Sequence, residues 1–157
     1  MGPGTIRVSA PHFCAAHAGL HGGRFEPLHG HTFTASLEVS GPLDAEGLVL
    51  DFVPLRRALA AATAELHLRT LMPTAPDTVV HRHEDNGTYV FDDGRRRIAL
   101  PAQDVVVLPI VNTSTELIAQ HLLAQLHPVL GGVEHAALTL AEAPTAAATA
   151  VYIPGQR

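Results

Sequence analysis

The clearest pattern of hydrophobic and polar positions is an alternation with period two over residues 29–41. The odd positions carry the apolar and aromatic side chains, His29, His31, Phe33, Ala35, Leu37 and Val39, whereas residues 32–40 carry Thr, Ser or Glu at the even positions. Successive side chains of a strand point to opposite faces, so the alternation predicts a strand with one face in the core. A second strand is predicted over residues 5–17, and the glycine-rich residues 19–23 predict a loop between the two.

Hydrophobic residues recur at helical spacing in two further segments. The first helix is predicted to begin near Pro54, because proline suits the first helical turn, and to end at residues 73–76. Its apolar positions are Leu55, Leu59, Ala62 and Leu66. The second helix is predicted to follow Thr113 as its N-cap, with Glu116 completing a capping box. Its helical spacing is carried by Leu117, Ile118, His121, Leu122 and Leu126.

The remaining segments predict short strands and an insertion between the helices. Extended runs are predicted at residues 48–52, 104–111, 133–142 and 149–153. Residues 78–100 predict an inserted hairpin, because Asn86-Gly87 is a strong two-residue turn signal, and Asp93-Gly94 offers a second turn. The resulting order, β-β-α, hairpin, α-β-β, predicts one α+β domain over residues 1–157.

The composition narrows the class of protein. The chain has 157 residues, of which 46% are hydrophobic and 16% are charged, which suits one folded domain and excludes a disordered chain. A formal net charge of −5 argues against a nucleic-acid-binding surface. Since no apolar run could span a bilayer and the first residues do not resemble a signal peptide, we expect a soluble, cytoplasmic protein without a membrane partner.

Eleven histidines among these residues point to metal chemistry, because histidine is the commonest metal ligand in proteins. His29 and His31 lie on one face of their predicted strand. An antiparallel pairing with residues 5–17 brings His17 opposite them. Three imidazoles leave an open coordination position, which is typical of catalytic zinc, although the same donors also suit iron, nickel or copper. The alternative is that all three are core histidines with ordinary hydrogen-bond partners.

A series of short motifs runs through almost the whole chain. The first two are Phe13-Cys14-Ala15-Ala16-His17 and Leu28-His29-Gly30-His31-Thr32-Phe33. The others are Gly41-Pro42-Leu43-Asp44, Val49-Leu50-Asp51-Phe52, Leu71-Met72-Pro73-Thr74, Leu108-Pro109-Ile110, Asn112-Thr113-Ser114-Thr115-Glu116 and a late strand with Glu142. In content and order these motifs closely resemble the 6-pyruvoyl-tetrahydropterin synthase / 6-carboxytetrahydropterin synthase family.

The resemblance implies a tunnelling fold, in which a four-stranded antiparallel sheet carries two helices on one face. It implies that subunits join sheet to sheet into trimeric barrels, that two trimers stack into a hexamer, and that active sites lie between subunits. It further implies a Zn²⁺ ion bound by His17, His29 and His31. The pterin would be held by paired hydrogen bonds from Glu142, in a pocket lined by Thr113, Ser114 and Thr115. Helix capping is an alternative role for Thr113.

The acid and base groups typical of the family are missing from their usual positions. Phe25 stands where the catalytic Cys is expected, and His67 and Leu68 stand where an Asp-His pair is expected. Glu26, three residues before His29, resembles a branch of the family in which glutamate replaces the Cys, and a carboxylate near zinc can serve as a general base. His67 is a candidate for the second proton carrier, and His21 is another.

The predicted function is that of a zinc-dependent lyase or synthase acting on 7,8-dihydroneopterin triphosphate or a close relative. In the glutamate branch the product is 6-hydroxymethyl-7,8-dihydropterin, and Arg24 is a candidate for contact with an anionic substrate. Two alternatives keep the zinc site, namely an enzyme with altered chemistry and a catalytically inactive protein that binds a pterin or purine. Turnover that is lost on replacement of Glu26 favours the lyase, whereas pterin binding without turnover favours the inactive protein.

Overall fold

The computed structural model of the protein describes residues 2–77 and 79–155. Its strands are β1 Gly4–Ser9, β2 Phe13–His17, β3 Leu20–His21, β4 Arg24–Phe25, β5 His29–Gly41, β6 Arg69–Pro73, β7 His81–Asp85, β8 Thr88–Asp92, β9 Arg97–Pro101, β10 Val105–Leu108, β11 His135–Ala143 and β12 Ala146–Tyr152. Its helices are α1 Phe52–Ala64 and α2 Thr115–Leu126, with single 3₁₀ turns at Ala102–Asp104 and His127–Val129. The predicted α+β class is confirmed.

The main sheet has the strand order β10-β6-β2-β5-β11-β12, and β1 also pairs with β5. Strand β5 is antiparallel to β1, β2 and β11, and β11 is antiparallel to β12. These strands form the expected four-stranded antiparallel sheet if β1 and β2 count as one interrupted strand. Strands β6 and β10 extend the sheet by parallel pairing, so the sheet has more strands than the four expected.

The single strand predicted over residues 5–17 is divided at Pro11, which has no amide hydrogen for the ladder. The pairing with β5 shifts by one residue across this break, because Val8 lies opposite Leu37 whereas Phe13 lies opposite Phe33. The shift moves the core-facing positions from even to odd numbers. As a result Val8 in β1 and Phe13 in β2 are both buried on the same side of the sheet.

Both helices pack on the sheet face to which the odd positions of β5 point. Leu37 of β5, Leu55 of α1, Ile118 of α2 and Leu138 of β11 are fully buried in one apolar cluster. Burial of such side chains is the dominant favourable contribution to folding. Within the described residues, no helix has both the length and the apolar character that crossing a bilayer would require.

Helix α1 begins at Phe52, close to the predicted start at Pro54. Asp51 is its N-cap, and the Asp51 carboxylate accepts a hydrogen bond of 2.8 Å from the Val53 amide. The run predicted to be extended over residues 48–52 is instead a pair of bends that leads into this cap. The cap therefore sets the start of the helix, and residues 42–51, between β5 and α1, contain no strand.

Helix α1 ends at Ala64, well before the predicted end at residues 73–76, and the chain turns into strand β6. Leu68 makes this turn with a left-handed φ of 57°, and its amide donates a hydrogen bond to the Cys14 carbonyl at 2.7 Å. Strand β6 then runs parallel to both β2 and β10, and its two faces are covered by different apolar clusters, the main cluster over Leu71 and the second over Met72. Leu71 and Met72 are fully buried, a pattern that resembles the end of an apolar helix.

The inserted segment contains the predicted hairpin and one strand more. Asn86 and Gly87, with φ of 47° and 75°, form the predicted two-residue turn between β7 and β8. The turn at Asp93-Gly94 adds β9, giving a three-stranded antiparallel sheet. The first strand begins at His81 rather than at Val79, and residue 78, the predicted start of the insertion, lies outside the described residues.

A second apolar cluster joins the insertion to the rest of the molecule. It contains Phe91 and Ile98 from the inserted sheet, Met72 from β6 and Phe25 from β4. Because Phe25 belongs to the short hairpin that precedes β5, the insertion packs directly against that hairpin.

Replacement of Leu37 by alanine should lower the free energy of unfolding by about 2–5 kcal/mol, because it removes a fully buried side chain from the main cluster. Val53→Ala, at a side chain that is 45% exposed, is the control and should change it by about 0.5 kcal/mol or less. Urea denaturation at one fixed protein concentration measures both. Equal losses in the two variants would contradict the assignment of the core.

Candidate active site

Three histidines converge at the end of the β2–β5 ladder. His17 lies directly opposite His29, and His31 follows two residues later on the same face of β5. The ring centroids are 4.6 Å apart for His17 and His29, 5.3 Å for His17 and His31, and 4.9 Å for His29 and His31. One ring nitrogen from each lies within 4.8 Å of the others. The predicted cross-strand cluster is therefore present.

Backbone carbonyls fix the orientation of two of the rings. The Nδ1 of His17 lies 2.8 Å from the Thr113 carbonyl oxygen, and the Nδ1 of His29 lies 2.7 Å from that of Pro27. A carbonyl can only accept, so Nδ1 carries the proton in both rings and Nε2 is left with a free lone pair. Hydrogen bonds of this kind are typical of histidines that ligate metals.

The Nε2 of His17 is buried and has no hydrogen-bond partner among the described residues. Burial lowers the pKa of His17 below its ordinary value, although the hydrogen bond to the Thr113 carbonyl acts in the opposite direction. The ring is therefore neutral near pH 7 and can donate its lone pair. A buried acceptor without a partner is costly, and a bound cation would supply the partner. These observations fit a metal ion held by the three rings, and they do not fit the alternative of core histidines with satisfied hydrogen bonds.

A cavity of about 480 Å³ lies beside the histidines, within the size range of small-molecule sites. It brings together most of the residues that the sequence singled out: His17, His29, Glu26, Thr113, Ser114, Thr115, Glu142 and His21. His31 completes the cluster of rings from the side facing a neighbouring groove. Three carboxylates, those of Glu26, Glu116 and Glu142, thus face one cavity together with the imidazole rings of His17 and His29.

Glu142 lies at the end of β11, next to an irregularity in its pairing with β12 between Ala141 and Ala143. The Thr115 hydroxyl donates a hydrogen bond of 2.5 Å to Oε2 of Glu142. This bond holds the carboxylate at the cavity while leaving it capacity to accept further hydrogen bonds, since a carboxylate can accept about four.

Thr113 is fully buried and has a structural role. Its hydroxyl donates to the Ala18 carbonyl at 3.2 Å, and its own carbonyl orients His17. The N-cap of α2 is Ser114, whose hydroxyl accepts from the Leu117 amide at 3.4 Å, so the predicted cap at Thr113 and its capping box with Glu116 were wrong. The cap moves by one residue because Thr113 is bound to β2 instead.

Glu26 follows the hairpin formed by β3 and β4, and its amide donates to the Gly19 carbonyl at 2.8 Å. A Cβ atom on residue 19 would lie only 3.2 Å from Oε2 of Glu26, so glycine leaves room for the carboxylate at the cavity wall. Phe25, in the position expected for a Cys, is buried in the second apolar cluster. The hairpin therefore presents Glu26 to the cavity and buries its neighbour.

His67 is not among the residues that line the cavity. It is exposed, and its Nδ1 accepts a hydrogen bond of 3.1 Å from the Cys14 amide. Leu68, beside it, is 74% exposed. Within one chain, His67 is therefore separate from Glu26 and the other cavity residues, and its catalytic role stays a prediction. Arg24 is exposed on β4 and does not line the cavity either.

Asn112 is a site residue that the sequence reasoning did not single out. Its Oδ1 accepts from the Leu20 amide at 2.7 Å, and its Nδ2 donates to the Leu20 carbonyl at 3.0 Å. The side chain thus pairs with the outer edge of β3 as a neighbouring strand would. The only signal in the sequence was its place in the motif before α2, since pairing with a distant backbone has no local signature.

Comparison with known proteins agrees with this arrangement. A family profile described as 6-pyruvoyl tetrahydropterin synthase matches residues 5–152. A solved structure of 6-pyruvoyltetrahydropterin synthase from Plasmodium vivax, described as a catalytic-residue mutant with glutamate replaced by alanine, is 25% identical with a TM-score of 0.89; the match covers 98% of this chain and 99% of that one. A comparison with curated protein sequences gives no significant match.

Two further solved structures share this fold, one at the same sequence identity and one at a lower identity. The enzyme of the same name from Plasmodium falciparum is also 25% identical, with a TM-score of 0.89 and coverage of 96% of this chain and 98% of that one. The one from Caenorhabditis elegans is 16% identical, with a TM-score of 0.61 and coverage of 99% and 98%. The latter similarity is one of fold.

The protein should bind one equivalent of a divalent metal ion, and His29→Ala should lower its affinity by at least tenfold, because the variant loses one of three ligands. Titration of the metal-stripped protein with Co²⁺, followed by its visible absorption, measures this. His83→Ala, on the exposed strand β7, is the control and should bind like the original protein. Equal binding by His29→Ala and the original would place the metal elsewhere.

Proposed function

The chain belongs to the 6-pyruvoyl tetrahydropterin synthase family, and on that premise we propose that it is a zinc-dependent lyase. Its proposed substrate is 7,8-dihydroneopterin triphosphate or a close relative. The observation that carries this proposal is the shared cavity, in which Glu26 and Glu142 lie together with His17 and His29. One carboxylate is available to anchor the pterin, and the other to move protons on its side chain.

Glu142 is the proposed pterin anchor. A pterin has a guanidine-like edge with adjacent N–H donors, and a carboxylate accepts such a pair in parallel, as it does from arginine. The Thr115 hydroxyl already occupies one lone pair of Oε2 and fixes the carboxylate in place. The short side chains of Ala146, Ala147 and Ala148 along β12 leave room beside it for a flat ring.

His17, His29 and His31 are the proposed zinc ligands, since three neutral imidazoles with an open fourth position suit catalytic zinc. When bound, zinc would supply Lewis-acid polarisation of oxygen atoms on the substrate side chain. The Thr113 and Pro27 carbonyls keep two of these rings in the tautomer that can ligate.

Glu26 is the proposed general base in a retro-aldol cleavage. Its carboxylate takes the proton from the hydroxyl on the second carbon of the side chain, and the bond between the first and second carbons breaks. The second and third carbons leave together as a two-carbon aldehyde, in which the third carbon keeps the triphosphate. The electron pair stays on the carbon attached to the pterin, which regains the proton from Glu26, so the pterin product is 6-hydroxymethyl-7,8-dihydropterin.

Three observations support a glutamate in this role. Phe25 is buried and carries no acid or base, so the usual thiol is absent from the hairpin. The only cysteine, Cys14, has its Sγ 3.6 Å from the Thr32 hydroxyl and does not line the cavity. In addition, the structure from Plasmodium vivax is described as a mutant of a catalytic glutamate, which is the residue type found here at position 26.

We also propose that the chain assembles as a hexamer of two barrel-shaped trimers with the tunnelling fold. Among the strands of the described residues, none pairs with the outer edge of β10 or of β12, and open edges of this kind favour pairing with another chain. Such an assembly could bring His67 of one copy to the cavity of another. A cytoplasmic location is proposed as well, since a single cysteine allows no disulfide within the chain.

Glu142→Gln should weaken binding of a 7,8-dihydropterin by about ten- to a hundredfold, because the amide replaces one acceptor oxygen by a donor and loses the charge-assisted hydrogen bonds. Fluorescence titration with 7,8-dihydroneopterin measures the affinity. Glu134→Gln, at an exposed site outside the cavity, is the control and should leave the affinity unchanged. Unaltered binding by Glu142→Gln would remove the anchor from the proposal.

The zinc-loaded protein should convert 7,8-dihydroneopterin triphosphate to 6-hydroxymethyl-7,8-dihydropterin, and Glu26→Gln should lower kcat by at least a hundredfold, the range for loss of a general base. Mass spectrometry of the pterin products measures this, with Glu46→Gln in an exposed turn as the control. A pyruvoyl or carboxy product would show that another group is the base. Binding of the substrate without any product would contradict the lyase and favour an inactive pterin-binding protein.

A further inference from the structure

Besides its apolar packing on Phe25, the inserted sheet is hydrogen-bonded through one carboxylate to the hairpin formed by β3 and β4, which we call the site hairpin. Oδ2 of Asp93, in the turn between β8 and β9, accepts a hydrogen bond of 2.6 Å from the Phe25 amide. Oδ1 of the same carboxylate accepts from the amides of Arg95 and Arg96 at 2.8 and 2.7 Å. One side chain thus fixes its own turn with one oxygen and the hairpin with the other.

The carboxylate of Asp93 is ionised at neutral pH. Partial desolvation raises its pKa, but the amide hydrogen bonds from Arg96, Phe25 and Arg95 and the nearby Arg96 guanidinium outweigh it, so the pKa lies below its ordinary value. Hydrogen bonds to a charged acceptor are about twice as strong as neutral ones. The contact with the Phe25 amide is therefore one of the stronger ones available to this loop.

The hairpin is held on both of its outer edges. On the β3 edge, Asn112 pairs with both backbone polar groups of Leu20. On the β4 edge, Asp93 takes the amide of Phe25, the residue opposite Leu20 in the hairpin. A two-residue pair of strands has little stability of its own. Its position therefore depends on these two side chains and on the apolar packing of the Phe25 ring.

Glu26 is the next residue after Phe25, and its own amide closes the hairpin on Gly19. A displacement of the Phe25 backbone therefore moves the Glu26 carboxylate relative to the cavity. The anchor for the pterin, Glu142 with Thr115, lies on β11 and α2, and among the described residues the hydrogen bonds of Asp93 go to Phe25, Arg95 and Arg96 instead. Asp93 can thus affect the base without affecting the anchor.

The geometry points to Asp93 as a positioning residue for Glu26. Through Asp93, the inserted sheet holds the Glu26 carboxylate in place at the cavity. This inference rests on the proposed function, in which Glu26 is the base. Asp93 itself does not line the cavity. Its effect is expected on the catalytic step and not on pterin binding.

The test compares Asp93→Asn with Asp92→Asn. An asparagine at position 93 keeps one acceptor oxygen for its own turn but presents an amide to the donor of Phe25. Asp92 is equally half-buried, and its Oδ1 accepts only from the Gly94 amide at 2.7 Å, so Asp92→Asn removes the same charge and keeps its contact. We expect Asp93→Asn to lower kcat by about ten- to a hundredfold with KM changed by less than about twofold, and Asp92→Asn to behave like the original protein.

A double-mutant comparison separates positioning from general loss of structure. If Asp93 acts through Glu26, then Asp93→Asn should cause no further loss of kcat when it is added to Glu26→Gln. Equal kcat in Asp93→Asn and the original protein would overturn the inference. So would a full additional loss in the Glu26→Gln background, because the effect would then not pass through Glu26.

Amide hydrogen exchange tests the structural step without any activity. The Phe25 amide should exchange at least tenfold faster in Asp93→Asn than in Asp92→Asn, while Co²⁺ binding by the histidines stays the same. Unchanged exchange at Phe25 would overturn the inference. If the original protein forms no product but the Phe25 amide exchanges faster in Asp93→Asn, the proposed function is contradicted. The structural part of the inference, that Asp93 fixes the hairpin, is then still supported.

Discussion

His17 is buried between two strands, and its Nε2 therefore needs a partner that the neighbouring side chains can hold in place. Its Nε2 is enclosed without a hydrogen-bond partner among the described residues, while its Nδ1 is fixed by the Thr113 carbonyl. A cation shared with His29 and His31 would give the neutral ring the missing partner. Two contacts hold Thr113, since its carbonyl oxygen accepts from His17 and its hydroxyl donates to the carbonyl of Ala18, directly after β2. The N-cap of α2 is therefore Ser114.

One long strand serves both the core and the site. In β5 the side chains of Phe33 and Leu37 are buried under the helices, and His29 and His31 continue the same face beyond them. The register that buries the core side chains of β5 therefore also determines which face the histidines occupy. A slip by one residue would move the core side chains and the histidines to the other face together. The site hairpin lacks such support and depends on Asn112 and Asp93 instead.

The parts of the fold that could be predicted from the sequence are those with a local signal. Period-two alternation gave β5, and an Asn-Gly turn gave the hairpin in the insertion. Strand β6 was missed because Leu71 and Met72 are buried on both faces of a parallel pairing and so resemble the end of a helix. In the site, spacing alone indicated the three histidines, whereas Glu26 and Glu142 needed the resemblance to a family. Asn112 and Asp93 could not be found, because each binds the backbone of a segment distant in sequence.

The measurement that tests the central claim most directly is the X-ray absorption spectrum of the zinc-loaded protein at the zinc edge. Coordination by His17, His29 and His31 predicts three imidazole nitrogens at about 2.0–2.1 Å, with a fourth, light-atom ligand that changes when a dihydropterin substrate is added. A sulfur ligand at about 2.3 Å, or fewer than three imidazoles, would contradict the account.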